Sequence, residues 1–183
     1  DHDVRLIVIE SSSAVRRTLN GIERSVRVVA PDQANEVSDA LDEISAELDR
    51  RSAPPGAGTE RDRPHLVVLI GDLVQLRRKY LDQPLGARLD ELLERAVRSG
   101  LDVVAFAADL DGAGSFASSA PSRVVGASSN HHELSTLGVG HPAELDGVVG
   151  RCRLFPGGDL AQIALAEATT ETLLGRRSTG DAS

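Results

Sequence analysis

The sequence predicts an α/β protein: three αβα layers around a mostly parallel sheet, with a β-hairpin near the C-terminus. Three observations carry this. Short apolar runs rich in β-branched residues alternate with segments of helical periodicity. The strongest run, LVVLI at 66–70, is apolar at consecutive positions. Both of its faces are therefore expected to be covered, as in a parallel sheet flanked by helices. Finally, Pro156-Gly157-Gly158-Asp159 separates two strand-like segments and reads as a hairpin turn.

In chain order, residues 5–10 (RLIVIE) read as a buried strand. Ser11 to Ser13 interrupt it, and the helical stretch AVRRTLNGI follows. VRVVA at 26–30 is a second strand. Asp32 can cap the next helix, in which Val37, Leu41, Ile44 and Leu48 recur at helical spacing. The acids Glu36, Asp39, Asp42, Glu43, Glu47 and Asp49 make its other face a solvated one. Residues 52–64 hold three prolines and two glycines and form a loop. Beyond the 66–70 strand, the segment after Pro84 is an amphipathic helix striped by Leu89, Leu92, Leu93, Ala96 and Val97. Gly100 can end it in a left-handed conformation. LDVVAFA at 101–107 reads as the next buried strand, so 66–107 form a strand–helix–strand unit with a right-handed crossover. RVVG at 123–126 is a short strand, and one short helix is expected around 141–145. GRCRLF and LAQIALA are the hairpin strands, and a polar tail closes the chain. The domain is taken as residues 1–168 and the tail as 169–183.

With 183 residues the chain is one ordinary domain in length, and at that size it needs no disulfide or metal staple. The single Cys excludes a disulfide within the chain. The charge of −8, from 20 Lys+Arg against 28 Asp+Glu, argues against broad DNA binding. Aromatics at 2% leave almost no stacking platform for single strands. No apolar run approaches the roughly 20 residues of a membrane-spanning helix, and the charged start does not read as a signal peptide. A cytoplasmic location is the expectation.

Most candidate chemistry reads as ordinary structure. Neither GxGxxG nor GxxxxGK[ST] occurs, and the GxSxG elbow is absent. Adjacent His131 and His132, with Glu133 and His141, lack the spacing of a metal site. Cys152, inside an apolar strand, reads as a small buried side chain. One pattern is more pointed. LVVLIGD at 66–72 is an apolar strand ending in an acid, the form of a segment whose carboxylate holds Mg²⁺ in nucleotide hydrolases. Its place would be the C-terminal edge of a parallel sheet, where open α/β folds bind ligands.

Taken in order, several blocks resemble the FtsK/SpoIIIE family of RecA-like motor ATPases. They are RLIVIESSSAVRR, EISAELDRR, HLVVLIGDLVQL, SGLDVVAFAAD and SRVVGASSNHHELSTLGVGHPAELDGVVGRCRLFPGGDLAQIALA. The likeness covers roughly residues 4–166 and is most specific in the last block. It implies a P-loop NTPase-type fold, N-terminally incomplete here because the P-loop strand and helix are missing. ATP and Mg belong to the family's chemistry; none is expected for this chain. By the same resemblance Gly71 and Asp72 fall at the two acid positions of the metal-binding strand; with the register slipped by one, Asp72 would be the metal ligand and Leu73 would stand at the catalytic acid, and the polar sensor falls near Ala108 or Asp109. One of the two carboxylates is thus absent, and too few groups remain to stabilise the transition state of hydrolysis. Replacing Asp72 with Ala is accordingly expected to leave the fold nearly unchanged. Arg123, Arg151 and Arg153 are the candidate subunit-interface arginines of a ring homo-oligomer.

Degenerate modules of this kind resemble those of the type VII secretion protein EccC. The resemblance implies a pseudo-ATPase that recognises a secreted substrate or regulates neighbouring modules, at the inner face of the plasma membrane through a larger parent. Two alternatives stay open: part of an ATP-driven DNA translocase, and a scaffold that holds a peptide helix near Leu137 and Leu145 without nucleotide.

Overall fold

A computed structural model of the chain describes residues 4–19, 25–52, 65–128, 130–147 and 151–163. Of the loop expected over 52–64, Ser52 is the last residue of a helix and 53–64 lie outside the described residues, as does the tail 169–183. Packing divides the chain into two compact units, Asp1–Pro121 and Ser122–Ser183.

The first unit is built on four parallel strands: β1 (Val4–Ile9), β2 (Val26–Val29), β3 (His65–Ile70) and β4 (Asp102–Ala105). Their spatial order is β2-β1-β3-β4. The predicted α/β class with a mostly parallel sheet holds. Helix α2 (Ala34–Ser52) and helix α4 (Pro84–Ser99) cover one face. There Ile7, Ile9, Val68 and Ile70 pack with Val37, Leu41, Leu48, Leu89 and Leu92 into the main core. Burial of these aliphatic side chains contributes roughly 1.5–3 kcal/mol each. The opposite face carries α1 (Ser13–Leu19), seven residues long. The β1-to-β2 and β2-to-β3 connections step in opposite directions across the sheet, so right-handed crossovers put α1 and α2 on opposite faces.

Three details depart from the sequence reading. Helix α2 starts at Ala34 rather than at Asp32. The Gln33 N–H donates to the Ala30 carbonyl, closing a turn over Pro31 and Asp32, and the Gln33 carbonyl accepts the first helical bond from Val37. The strand expected over 101–107 is shorter and, among the described residues, stands at the edge of the sheet, with Val104 47% and Phe106 59% exposed. Apolar composition marks a strand but not its place in a sheet. A further helix, α3 (Leu73–Lys79), follows β3 directly, and the short helices α5 (Leu110–Ala113) and α6 (Ser115–Ser119) follow β4.

Gly100 ends α4 at φ 67°, as the sequence predicts, and its carbonyl accepts from the Arg51 guanidinium at 2.8 Å. Helices α2 and α4 are laced by the ion pairs Asp42–Arg88 and Asp49–Arg95, the second at 2.5 Å.

The second unit is a three-stranded antiparallel sheet in the order β5 (Arg123–Gly126), β6 (Arg151–Phe155), β7 (Asp159–Gln162). The predicted hairpin is β6–β7, with Cys152 opposite Ala161. Strand β5 pairs with β6 as well. Helix α7 (His131–Thr136), capped by Asn130, precedes a 3₁₀ turn at Pro142–Leu145, where the sequence suggests a short helix. Val125, Leu134, Val139 and Leu145 form this unit's core. The lone Cys152 is buried and free.

Candidate functional site

The candidate residues of the first unit gather at the C-terminal ends of its strands. β1, β3 and β4 run in register, with Ile9 beside Ile70 and Ile70 beside Ala105. Backbone bonds continue one step further: Gly71 N–H donates to Ile9 at 2.9 Å, and Phe106 N–H to Ile70 at 3.0 Å. Glu10, Gly71 and Phe106 therefore form a row across the top of the sheet.

Asp72 follows this row in extended conformation and caps α3. Its Oδ1 accepts the Gln75 N–H at 2.9 Å. The next amide, Leu73 N–H, donates to the Phe106 carbonyl at 2.9 Å and ties the β3–α3 turn to the end of β4. The capping bond revises the expectation for Asp72→Ala. A cap of this type contributes about 1 kcal/mol, so its loss is felt by the fold.

Gly71 holds a position where a side chain has no room. A Cβ there would fall 1.9 Å from Oε2 of Glu10. The half-buried Glu10 carboxylate lies across Gly71, with its Oε1 accepting the Ser12 N–H at 2.7 Å. Glu10 is thus the acid at this edge that reasoning on the 66–72 segment alone misses. Its signal is present in RLIVIE as a strand-ending acid, but its approach to Gly71 depends on the β1–β3 register.

Asp109 caps α5, its Oδ1 accepting the Gly112 N–H at 2.6 Å and its Oδ2 lying 3.3 Å from Arg78. Arg78 is 71% exposed on its side chain, so that pair contributes little. Behind these caps Arg77 reaches Asp90 at 2.8 Å and the Gly112 carbonyl at 3.1 Å. It borders an open groove of about 640 Å³ lined by Val74, Tyr80, Pro84, Asp90 and Gly112. Gly71, Asp72 and Asp109 do not line that groove.

The three arginines belong to the second unit. Arg123 lies over the Phe155 ring, 5.6 Å from its centroid. Arg151 donates to the Glu144 carbonyl at 3.1 Å. Arg153 pairs with the Glu144 carboxylate and donates to the Gly158 carbonyl at 2.6 Å. Each therefore has a role within its own unit. His131 lies 3.3 Å from Asp146. Among the described residues no three His, Cys, Asp or Glu side chains converge as a metal site.

This donor set does not fit a magnesium-bound triphosphate. Gly71 offers no carboxylate, Oδ1 of Asp72 is engaged by an amide, and the space over Gly71 is filled by Glu10.

No protein-family profile matches the sequence, and no curated protein does. Solved structures do match. EssC (ATPases 2 and 3) from Geobacillus thermodenitrificans superposes with a TM-score of 0.71 at 13% identity, over 94% of this chain and 36% of that one. The cytoplasmic domain of the Thermomonospora curvata type VII secretion ATPase EccC gives 0.62 at 16% identity, over 86% and 21%. The monomer form of the pCW3 conjugation coupling protein TcpA with ATPγS gives 0.59 at 16%, over 87% and 51%. The chain shares the α/β fold of these ATPase structures. This chain spans about a third of the EssC chain, a fifth of the EccC one and half of the TcpA one. Among the described residues no helix is long and apolar enough to cross a membrane.

Proposed function

We propose that the chain is a degenerate FtsK/SpoIIIE-like module of a type VII secretion-type motor, cytoplasmic, working in substrate recognition or regulation without hydrolysing ATP. The observation that carries the reading is the row Glu10–Gly71–Phe106. Where a hydrolase of this fold needs an acid facing the metal, there is a glycine overlaid by a neighbour's carboxylate. Asp72, the remaining acid, is held as a helix cap. A transition state with charge spread over phosphate oxygens needs preorganised donors and paired carboxylates to hold a metal, and the glycine at 71 speaks against such a pair at this edge. The fold shared with EssC and EccC supports the secretion branch. The charge of −8 weighs against the DNA-pumping alternative. A secreted protein or a neighbouring module is the partner this reading assigns.

The test is ATP turnover and Mg-ATP calorimetry on the 183-residue chain and on Asp72→Ala. No turnover and no saturable heat are expected from either. Turnover by the natural chain that Asp72→Ala abolishes would overturn the proposal. A duplex-DNA gel shift that persists at moderate salt would favour the translocase instead.

A further inference from the structure

The groove beside Arg77 sets buried apolar side chains next to an exposed one. Its lining residues all lie between 74 and 114, inside the described stretch 65–128 and inside one compact unit. Val74 and Tyr80, 2% and 3% exposed, form its floor. Leu81 stands at its rim, at 68% the most exposed large apolar side chain among the described residues. At about 640 Å³ the groove has the size of a ligand pocket. The charges around it are unevenly satisfied. Arg77 is held by Asp90 and the Gly112 carbonyl, and Arg78 by Asp109. The N–H groups of Gly86 and Ala87, at the start of α4, donate to the Gln83 carbonyl. The positive groups of the groove are thus engaged within the chain. Asp82 and Asp111 line it from the α3–α4 turn and from α5; both are exposed, and among the described residues no cation pairs with either.

We propose that this groove binds a short segment of a partner polypeptide in which an aliphatic side chain stands close to a pair of lysines or arginines. The aliphatic group buries against Val74, Tyr80 and Leu81, and that burial supplies the affinity. The cations meet Asp82 and Asp111, the two carboxylates the chain leaves unpaired at the rim. Exposed ion pairs of this kind add little affinity but choose between partners. An acidic segment would face those carboxylates while Arg77 and Arg78 stay on acids of their own chain, so it is rejected. A second copy of this chain, itself at −8, fits the acidic rim less well. The proposal rests on the recognition role proposed above and gives it a place and a chemistry. Gly71, Asp72 and Asp109 lie outside the lining, so occupancy needs no nucleotide.

The test uses fluorescein-labelled peptides of glycine and serine that carry Leu-Leu followed, after a short or a longer gap, by Arg-Arg or by Glu-Glu. Anisotropy is read without nucleotide on the full chain, on Leu81→Ser and on the double variant Asp82→Asn, Asp111→Asn. Asparagine tolerates the left-handed conformation that Asp82 holds at φ 62°, and Leu81 is exposed, so the variants keep the fold, as circular dichroism checks. An Arg-Arg peptide should bind saturably and about tenfold tighter than the Glu-Glu peptide of the same spacing. The double variant should bring the two within about twofold, and Leu81→Ser should weaken the Arg-Arg peptide about fivefold. Absence of saturable binding up to about 1 mM overturns the proposal. So does equal affinity for the two charges, a preference that the double variant keeps, or binding that Leu81→Ser leaves unchanged. A dimer in sedimentation that Leu81→Ser dissolves also overturns it, making the occupant a second copy. Failure of binding leaves the turnover test above standing, and ATP turnover leaves the binding result standing, so the two readings fail separately.

Discussion

Gly71→Ala isolates the contact that closes the candidate site. The new Cβ would lie 1.9 Å from Oε2 and 2.6 Å from Cδ of Glu10, so the carboxylate has to leave. Leaving breaks its 2.7 Å bond from the Ser12 N–H. A hydrogen bond to a charged group contributes roughly 1.5–3 kcal/mol, and a half-buried carboxylate that can reach water belongs at about 1.5. Gly71 is not among the glycines at positive φ, so alanine fits the backbone there. The substitution then recovers roughly 0.4–1 kcal/mol through the unfolded chain. The net effect is a loss of roughly 0.5–1 kcal/mol. In a Glu10→Ala background the three nearest atoms, all of the Glu10 carboxylate, are gone, and the same change should stabilise by roughly 0.4–1 kcal/mol. The sign reversal is the signature. The assay is urea unfolding followed by tyrosine fluorescence, because Tyr80 is the one tyrosine of the chain and sits in the core of the first unit at 3% exposure. Equal signs in the two backgrounds would refute the account of how Glu10 occupies this edge.

Asp72→Ala should cost about 1 kcal/mol through the lost α3 cap, and Asp72→Asn much less, as seen in the same urea transitions. Arg77→Met should cost about 2 kcal/mol, because it strands Asp90 and the Gly112 carbonyl together; a shift in Tm below about 1 °C would speak against that cross-link. Gly100→Ala places a Cβ at φ 67° and should cost about 1 kcal/mol. Tyr80 ionises above its ordinary 10.0 because burial disfavours the phenolate and Asp32 adds repulsion. Its raised folded pKa stabilises the fold fully below pH 10.0, and that contribution is lost as pH rises through the folded value. Tyrosinate absorbance should therefore rise later in the native chain than in urea.

The sequence made the sheet legible where the signal was local. The apolar run at 66–70 became β3, Gly100 ended α4, and Pro156 to Asp159 turned the hairpin. It was silent where position depended on distant neighbours. Val104 and Phe106 have the composition of a covered strand, yet among the described residues β4 pairs only with β3, and they are exposed. Asp72 reads as a metal ligand and as a helix cap alike; the cap shows only in the 2.9 Å bond from Gln75. The approach of Glu10 to Gly71 joins residues 61 positions apart and depends on the β1–β3 register. Asp32 lost the capping place because the turn over Pro31 delays α2 to Ala34, which no propensity for Asp could reveal.

The acids of α2 at 42 and 49 and the arginines of α4 at 88 and 95 share a spacing of seven positions. Exposed pairs like these add little to stability. Their matched repeat acts instead as a vernier: sliding one helix past the other by a single turn would break both contacts at once, and sliding it by seven residues would restore only one. The lacing between these helices thus governs alignment rather than strength, and the strands beneath inherit a fixed datum from it.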